Sequence, residues 1–235
     1  MSEVISSNSS SKINKIAFNW PVVGALLFLT AIPALPAVFI LTMLIIGMLS
    51  GGAVSSLVNA VYFEMPAAIL VHGSSGILFF LTMPFQFSPA LRMKKLRWHK
   101  TGGRIAFISG YAMALSGIWM HHVLSPDDLG MRYVSLVIMS MAMCAAFSLA
   151  LWHITQRNIA AHGKWMIRAV AITLAAITPL FIEGVIYLLF GAFDSIISIL
   201  NQWLHDYGRL FAITLNLAFV EYFVFNKPLK TQARY

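Results

Sequence analysis

Seven histidines recur at or inside the ends of long apolar runs, where an ionisable ring is costly and is normally retained for a task. Two basic segments frame them, Trp98-His99-Lys100-Thr101-Gly102-Gly103-Arg104 and His162-Gly163-Lys164-Trp165-Met166-Ile167-Arg168. Each sets a histidine, a tryptophan and an arginine at the mouth of an apolar run. The rings fall into an outer group, His72, His121, His122 and His205, and an inner group, His99, His153 and His162. Imidazoles on facing helices hold haem iron, and two such layers carry an electron across a membrane. The expected ligands are therefore His72 and His121 in the outer layer and His153 and His162 in the inner one. His99 joins the inner layer as a cofactor contact, while His122 and His205 read as interfacial residues.

Other side chains extend this chemistry. Arg92, Arg104 and Arg168 have the planar fork that clamps haem propionates or a quinone headgroup, or that meets lipid phosphates at the interface. Glu183 and Glu221 lie inside apolar runs, where proton relay or ion coordination justifies a carboxyl group, and Asn216 is placed to satisfy one of them. The methionines, including the alternating Met139, Met141 and Met143, read as packing rather than as a copper route. Cys144 is the sole cysteine and reads as a buried structural thiol, so no intrachain disulfide forms. No zinc-type spacing, phosphate-binding glycine loop or serine-nucleophile motif occurs, and the residues leave open whether the protein is an enzyme.

The elements that must position these groups follow from composition. The chain has 235 residues, 59% hydrophobic and 10% charged, with apolar runs too long for a soluble core. It is expected to be an all-α polytopic membrane bundle in contact with lipid. The net charge of +8 argues for topology rather than nucleic acid, because the basic residues cluster between apolar runs. Six spans are expected, near Pro21 to Leu49, Pro66 to Phe87, Arg104 to His122, Tyr133 to His153, Met166 to Phe190 and Gly208 to Phe225. Counting Lys and Arg on alternate sides leaves Arg132 and Arg209 alone on one side. The positive-inside rule then places both termini and the basic loops in the cytoplasm of a bacterial inner membrane protein. Trp20, Trp98, Trp119, Trp152, Trp165 and Trp203 all fall near span ends, as in an interfacial aromatic belt.

Residues 1–15 form a polar, disordered tail, 16–226 a single transmembrane domain and 227–235 a cytoplasmic tail. Pro33 and Pro36 should kink or divide the first span, and residues 51–65 read as an interfacial or re-entrant segment. Residues 193–207 carry apolar side chains at helical spacing and read as an amphipathic helix on the outer surface. Within spans, His72, Gly76, Phe79, Met83 and Gln86 share one helical face. Gly103, Gly110 and Gly117 recur at seven-residue spacing, which predicts a face packed closely on another helix. A stripe from His162 through Ala169, Thr173 and Ala176 reaches Glu183, about 31 Å along a continuous axis.

The order His72, Pro84-Phe85-Gln86-Phe87, Arg92, His99 with Gly103-Arg104, and His162 with Trp165-Met166-Ile167-Arg168 resembles a bacterial family of multi-spanning membrane proteins. That family carries only a domain-of-unknown-function label. The resemblance covers about Pro66 to Phe190 and implies a fold and candidate positions, without an activity. Family members show His-Arg at the two mouths, where this chain has His99-Lys100 and His162-Gly163-Lys164. A looser architectural similarity links the two histidine layers to di-haem cytochromes of the transmembrane ascorbate-reductase type. The leading expectation is a b-type haem or quinone-interacting redox protein. The alternatives are a non-catalytic accessory or assembly subunit of a membrane complex or a homo-oligomer, and a small proton- or metal-coupled transporter using His72, Glu183 and Glu221.

Overall fold

The computed structural model describes residues 18–50, 57–191 and 193–226. The expectations for both tails and for residues 51–56 lie outside them. The described residues form helices α1 (Trp20–Leu49), α2 (Val61–Glu64), α3 (Pro66–Thr82), α4 (Pro89–Lys94) and α5 (Leu96–Leu124). They continue through α6 (Met131–Thr155), α7 (Ile159–Leu174), α8 (Thr178–Phe190) and α9 (Asp194–Phe219). A 3-10 turn at Pro84–Phe87 prolongs α3 and a π-helical turn at Val220–Phe225 prolongs α9. Among the described residues there is no strand.

Four of these units are long and apolar enough to cross a membrane: α1, α3 with its turn, α6 and α9 with its turn. The expected third span is less apolar, because α5 ends in His121-His122 and carries serines and glycines inward. Its neighbours set it alongside the candidate spans α3 and α6. Gln86 lies against Gly102 and Gly103, Phe79 against Gly110, and His72 against Gly117, so α3 and α5 run antiparallel along their full shared length. On the other side, Tyr111 bonds to Ser148 and His122 to Tyr133, which sets α6 antiparallel to α5.

Three expectations are corrected. The first span does not divide at Pro33 and Pro36, since α1 runs unbroken through both. In hydrocarbon an opened helix strands polar groups without solvent, so a helix missing two hydrogen bonds is retained over a broken one. The stretch 193–207 is no separate surface helix but the first half of α9, held to α8 where Gly208 lies against Pro179. Span five, read as one continuous stripe from His162 to Glu183, is two helices, α7 and α8, bent by 50°. Pro179 has no N–H to give the carbonyl of Ala175, so the helix opens there, and Asn216 of α9 donates its amide to the Ala171 carbonyl at 3.0 Å and to Thr178 Oγ1 at 3.0 Å.

The core lies where α3, α5, α6 and α7 meet. Phe79 and Phe147 are fully buried and pack edge-on at 5.8 Å, flanked by Phe107 and Tyr111. Gly110 makes the approach of the three helices possible, because a methyl group on it would lie 2.7 Å from Phe147 Cε2 and 3.2 Å from Phe79 Cδ2. The glycine face expected of span three is thus the packed face. Between α6 and α7 the turn is tight: Arg157 adopts φ 58° and Asn158 caps α7 by accepting from the Ala161 amide at 3.0 Å.

The bundle gathers its basic loops at one end. Cysteine introduced at Lys95 and at Asp127 should therefore label from opposite faces of intact cells, with only Asp127→Cys reached by an impermeant maleimide from outside. Labelling of both from one face would overturn the expectation of six spans.

Candidate functional site

His72 sits on α3 with its ring pressed onto α5. Its Nδ1–H donates to the Met113 carbonyl at 3.1 Å, 3.3 Å from Ser116 Oγ, and Gly117 leaves the ring its space. A methyl on Gly117 would stand 3.3 Å from His72 Cε1. No macrocycle fits between this ring and α5.

His121 occupies the far end of α5 and turns toward the α5–α6 loop. Its Nε2–H donates to the Asp128 carbonyl at 2.7 Å, and its ring leans on Tyr133 at 5.1 Å. His122 bonds to the Tyr133 hydroxyl at 3.0 Å. The structure thus brings His121 together with His122 and Tyr133, and it does not bring His121 to His72. A haem held jointly by His72 and His121 does not fit this arrangement. His205 bonds the neighbouring Asp206 carboxylate at 3.1 Å on the exposed side of α9.

At the basic end, His162 donates Nδ1–H to the Ala150 carbonyl of α6 at 2.8 Å and stacks on Phe107 at 6.5 Å. His153 finds its ring contact in the adjacent Trp152 at 4.7 Å rather than in His162. His99, ahead of the span in α5, has Arg92 of α4 and His162 of α7 within electrostatic reach. Burial first, then Arg92, then His162, hold its imidazole below the ordinary range. Its Nδ1 is enclosed without a partner. Arg104 is exposed.

Arg168 is engaged within the chain. Its Nε donates to Glu221 Oε1 at 2.6 Å, and its guanidinium lies over Trp165 at 4.7 Å and Phe225 at 5.1 Å. That pair fixes α7 to the π-helical turn and uses the charge once expected to clamp a cofactor. Glu183 stands on α8, beyond the bend, so the proposed stripe linking it to His162 is interrupted. Asn216, expected to satisfy a glutamate, instead satisfies the opened backbone at the bend. Among the described residues no group of three or more His, Cys, Asp or Glu gathers to hold a metal.

A feature absent from the sequence reading lies on the opposite face of α7. A crevice of about 360 Å³ separates α1 from α7, α8 and α9. Its walls are apolar, among them Leu26, Phe87, Leu174, Phe181 and Val224, and Thr178 and Asn216 stand in the wall beside the bend. α1 packs chiefly on α3 and the Pro84–Phe87 turn, which leaves the gap toward α9 unfilled. Thr178 Oγ1 lies 2.9 Å from the Leu174 carbonyl and 3.3 Å from Asn216 Oδ1, and both amide hydrogens of Asn216 are committed, so Asn216 Oδ1 keeps a second lone pair as an acceptor. Thr178-Pro179 inside an otherwise apolar run was the signal that marks this place.

No curated protein matches the chain, and no solved structure does. A family model does match, over residues 69–224, from the first turn of α3 to the π-helical turn, and takes in His72, both basic mouths and the bend. The chain belongs to that family, whose description is Predicted membrane protein (DUF2306).

Proposed function

We propose that this protein is a redox-associated component of the bacterial cytoplasmic membrane that binds a quinol-type isoprenoid lipid in the crevice between α1 and α7–α9. The crevice carries this reading: its size suits a small ring with the first part of an apolar tail, and its lining is almost wholly apolar. Asn216 Oδ1 in the wall complements an O–H donor on the head of the ligand, while Leu26, Leu174 and Phe181 complement a tail. A bound quinol supplies two electrons and two protons. The chain's own residues bind and orient it: Asn216 is fixed by Ala171 and Thr178, and Arg168 with Glu221 ties together the two elements that carry Ile167, Val220 and Val224.

The quinone half of the redox expectation is preferred to the haem half because His72 and His121 face different partners. The test is extraction of the purified protein followed by an oxidised-minus-reduced ultraviolet spectrum of the extract. Quinone is expected in near-stoichiometric amount from the parent protein and from Phe28→Trp, which alters an exposed residue of α1. Leu26→Trp fills the crevice and is expected to lose it. Equal extraction from Leu26→Trp, or only the quinone content of bulk lipid in every sample, overturns the reading. A Soret band with reduced α and β bands would restore the haem.

A further inference from the structure

We infer that Arg92, His99 and His162 form a binding site for a phosphate mono- or diester at the basic end of the bundle, apart from the crevice. Three elements, α4, α5 and α7, bring Arg92 and His162 within electrostatic reach of His99, and His162 stacks on Phe107 of α5 at 6.5 Å. Groups of like sign are rarely gathered around an enclosed nitrogen without a counter-charge, because each desolvates and repels the others. His99 Nδ1 is enclosed and has no hydrogen-bond partner. Ser88, 1% exposed, is in the same condition at Oγ and directly precedes α4, the helix that carries Arg92. A buried polar atom left without a partner marks the place of a group that comes from elsewhere.

The described residues do not provide that group. Of the acids among the described residues, Glu221 is the one at this end, and it is bound to Arg168. Glu64, Asp127, Asp128, Asp194 and Asp206 belong to the opposite end or its loops, and Glu183 stands on α8 beyond the bend. His162 commits Nδ1–H to a carbonyl, so its Nε2 is the atom left to act, and it donates once the ring is protonated. Arg92 adds a fork that matches two phosphate oxygens. A tetrahedral anion supplies several acceptors at once, which suits donors arriving from three helices. Phosphate is therefore favoured over a carboxylate. A lipid headgroup and a soluble phosphate share this chemistry.

The experiment follows thermal unfolding of the detergent-solubilised full chain while titrating sodium phosphate against chloride at constant ionic strength, and phosphatidylglycerol against phosphatidylcholine. Stabilisation by phosphatidylglycerol at mole fractions where phosphatidylcholine is inert assigns a lipid headgroup. Stabilisation by inorganic phosphate alone assigns a soluble ligand. Arg92→Gln and His99→Gln should each weaken the midpoint about tenfold, as expected for loss of one charge-assisted bond. Arg97→Gln removes one exposed charge from the same end of α5 and should stay within about twofold. The unfolding temperature of each variant without ligand shows whether it folds, and His162→Gln provides a further variant if one does not. No response of the parent protein to either anion, or equal midpoints for Arg92→Gln and Arg97→Gln, overturns the site.

Discussion

Gly110→Leu should leave little or no folded protein in detergent, whereas Ile108→Leu, two residues earlier and 72% exposed, should lie within about 0.5 kcal/mol of the parent. Even a methyl group at Gly110 meets Phe147 Cε2 at 2.7 Å, inside any tolerable contact, and Phe79 Cδ2 at 3.2 Å. Both rings are fully buried, so neither moves without disturbing α3 or α6. Overpacking of this kind costs about 1–3 kcal/mol for added methylenes, and a full isobutyl group exceeds that range. Gly110→Ala is the graded version, with a loss of about 1–3 kcal/mol read from thermal or denaturant unfolding in micelles. A Gly110→Leu protein with parental stability would show that α5 does not meet α3 and α6 through this face.

Phe147→Ala should have the second largest effect, with a loss approaching the 3–5 kcal/mol typical of a buried phenylalanine in a soluble core. Phe147 is the ring around which Phe79, Phe107 and Tyr111 gather at 5.8, 5.5 and 5.7 Å. In lipid the transfer share of that loss shrinks, because tails are as apolar as the core, but the lost contacts of the emptied space remain. The pairing with Gly110 gives a sharper measurement. In Gly110→Ala with Phe147→Leu the smaller side chain makes room for the new methyl, so the double variant should be more stable than the sum of the singles. Strict additivity would separate the two positions.

Positions that depend on one helix alone were legible in the sequence. The sevenfold glycine spacing on α5 matches His72, Phe79 and Gln86 on α3, which are also seven apart, and two antiparallel helices with one shared period settle into that register. The basic end was legible because charge is excluded from hydrocarbon regardless of how helices pack. The partners of each histidine were not. His121 bonds to a carbonyl of the α5–α6 loop and His162 to a carbonyl of α6, and a backbone acceptor carries no signature of residue type. Asn216 was misread for a similar reason. Its partner, the Ala171 carbonyl, is free because the Ala175 N–H turns to the Ile172 carbonyl where α7 ends, and a carbonyl needs an amide more than a carboxylate does. The crevice is the hardest to see, since its lining is apolar and differs from a packed helix face only by what α1 leaves uncovered.

Because the gap between α1 and α9 faces the surrounding hydrocarbon, a ligand entering it arrives by sideways diffusion within one leaflet and not from water. Its occupancy is then governed by a two-dimensional concentration. A compound that partitions strongly into the bilayer is already enriched around the protein, and every acyl chain nearby is a competitor for the same groove. Apparent affinity for this crevice consequently scales with the amount of detergent or lipid in the sample, and only a ratio of ligand to lipid is transferable between preparations. Selectivity then rests on what acyl chains lack, a hydroxyl to give to Asn216, so a saturated chain of equal length should be displaced by a hydroxylated ring at a small molar fraction.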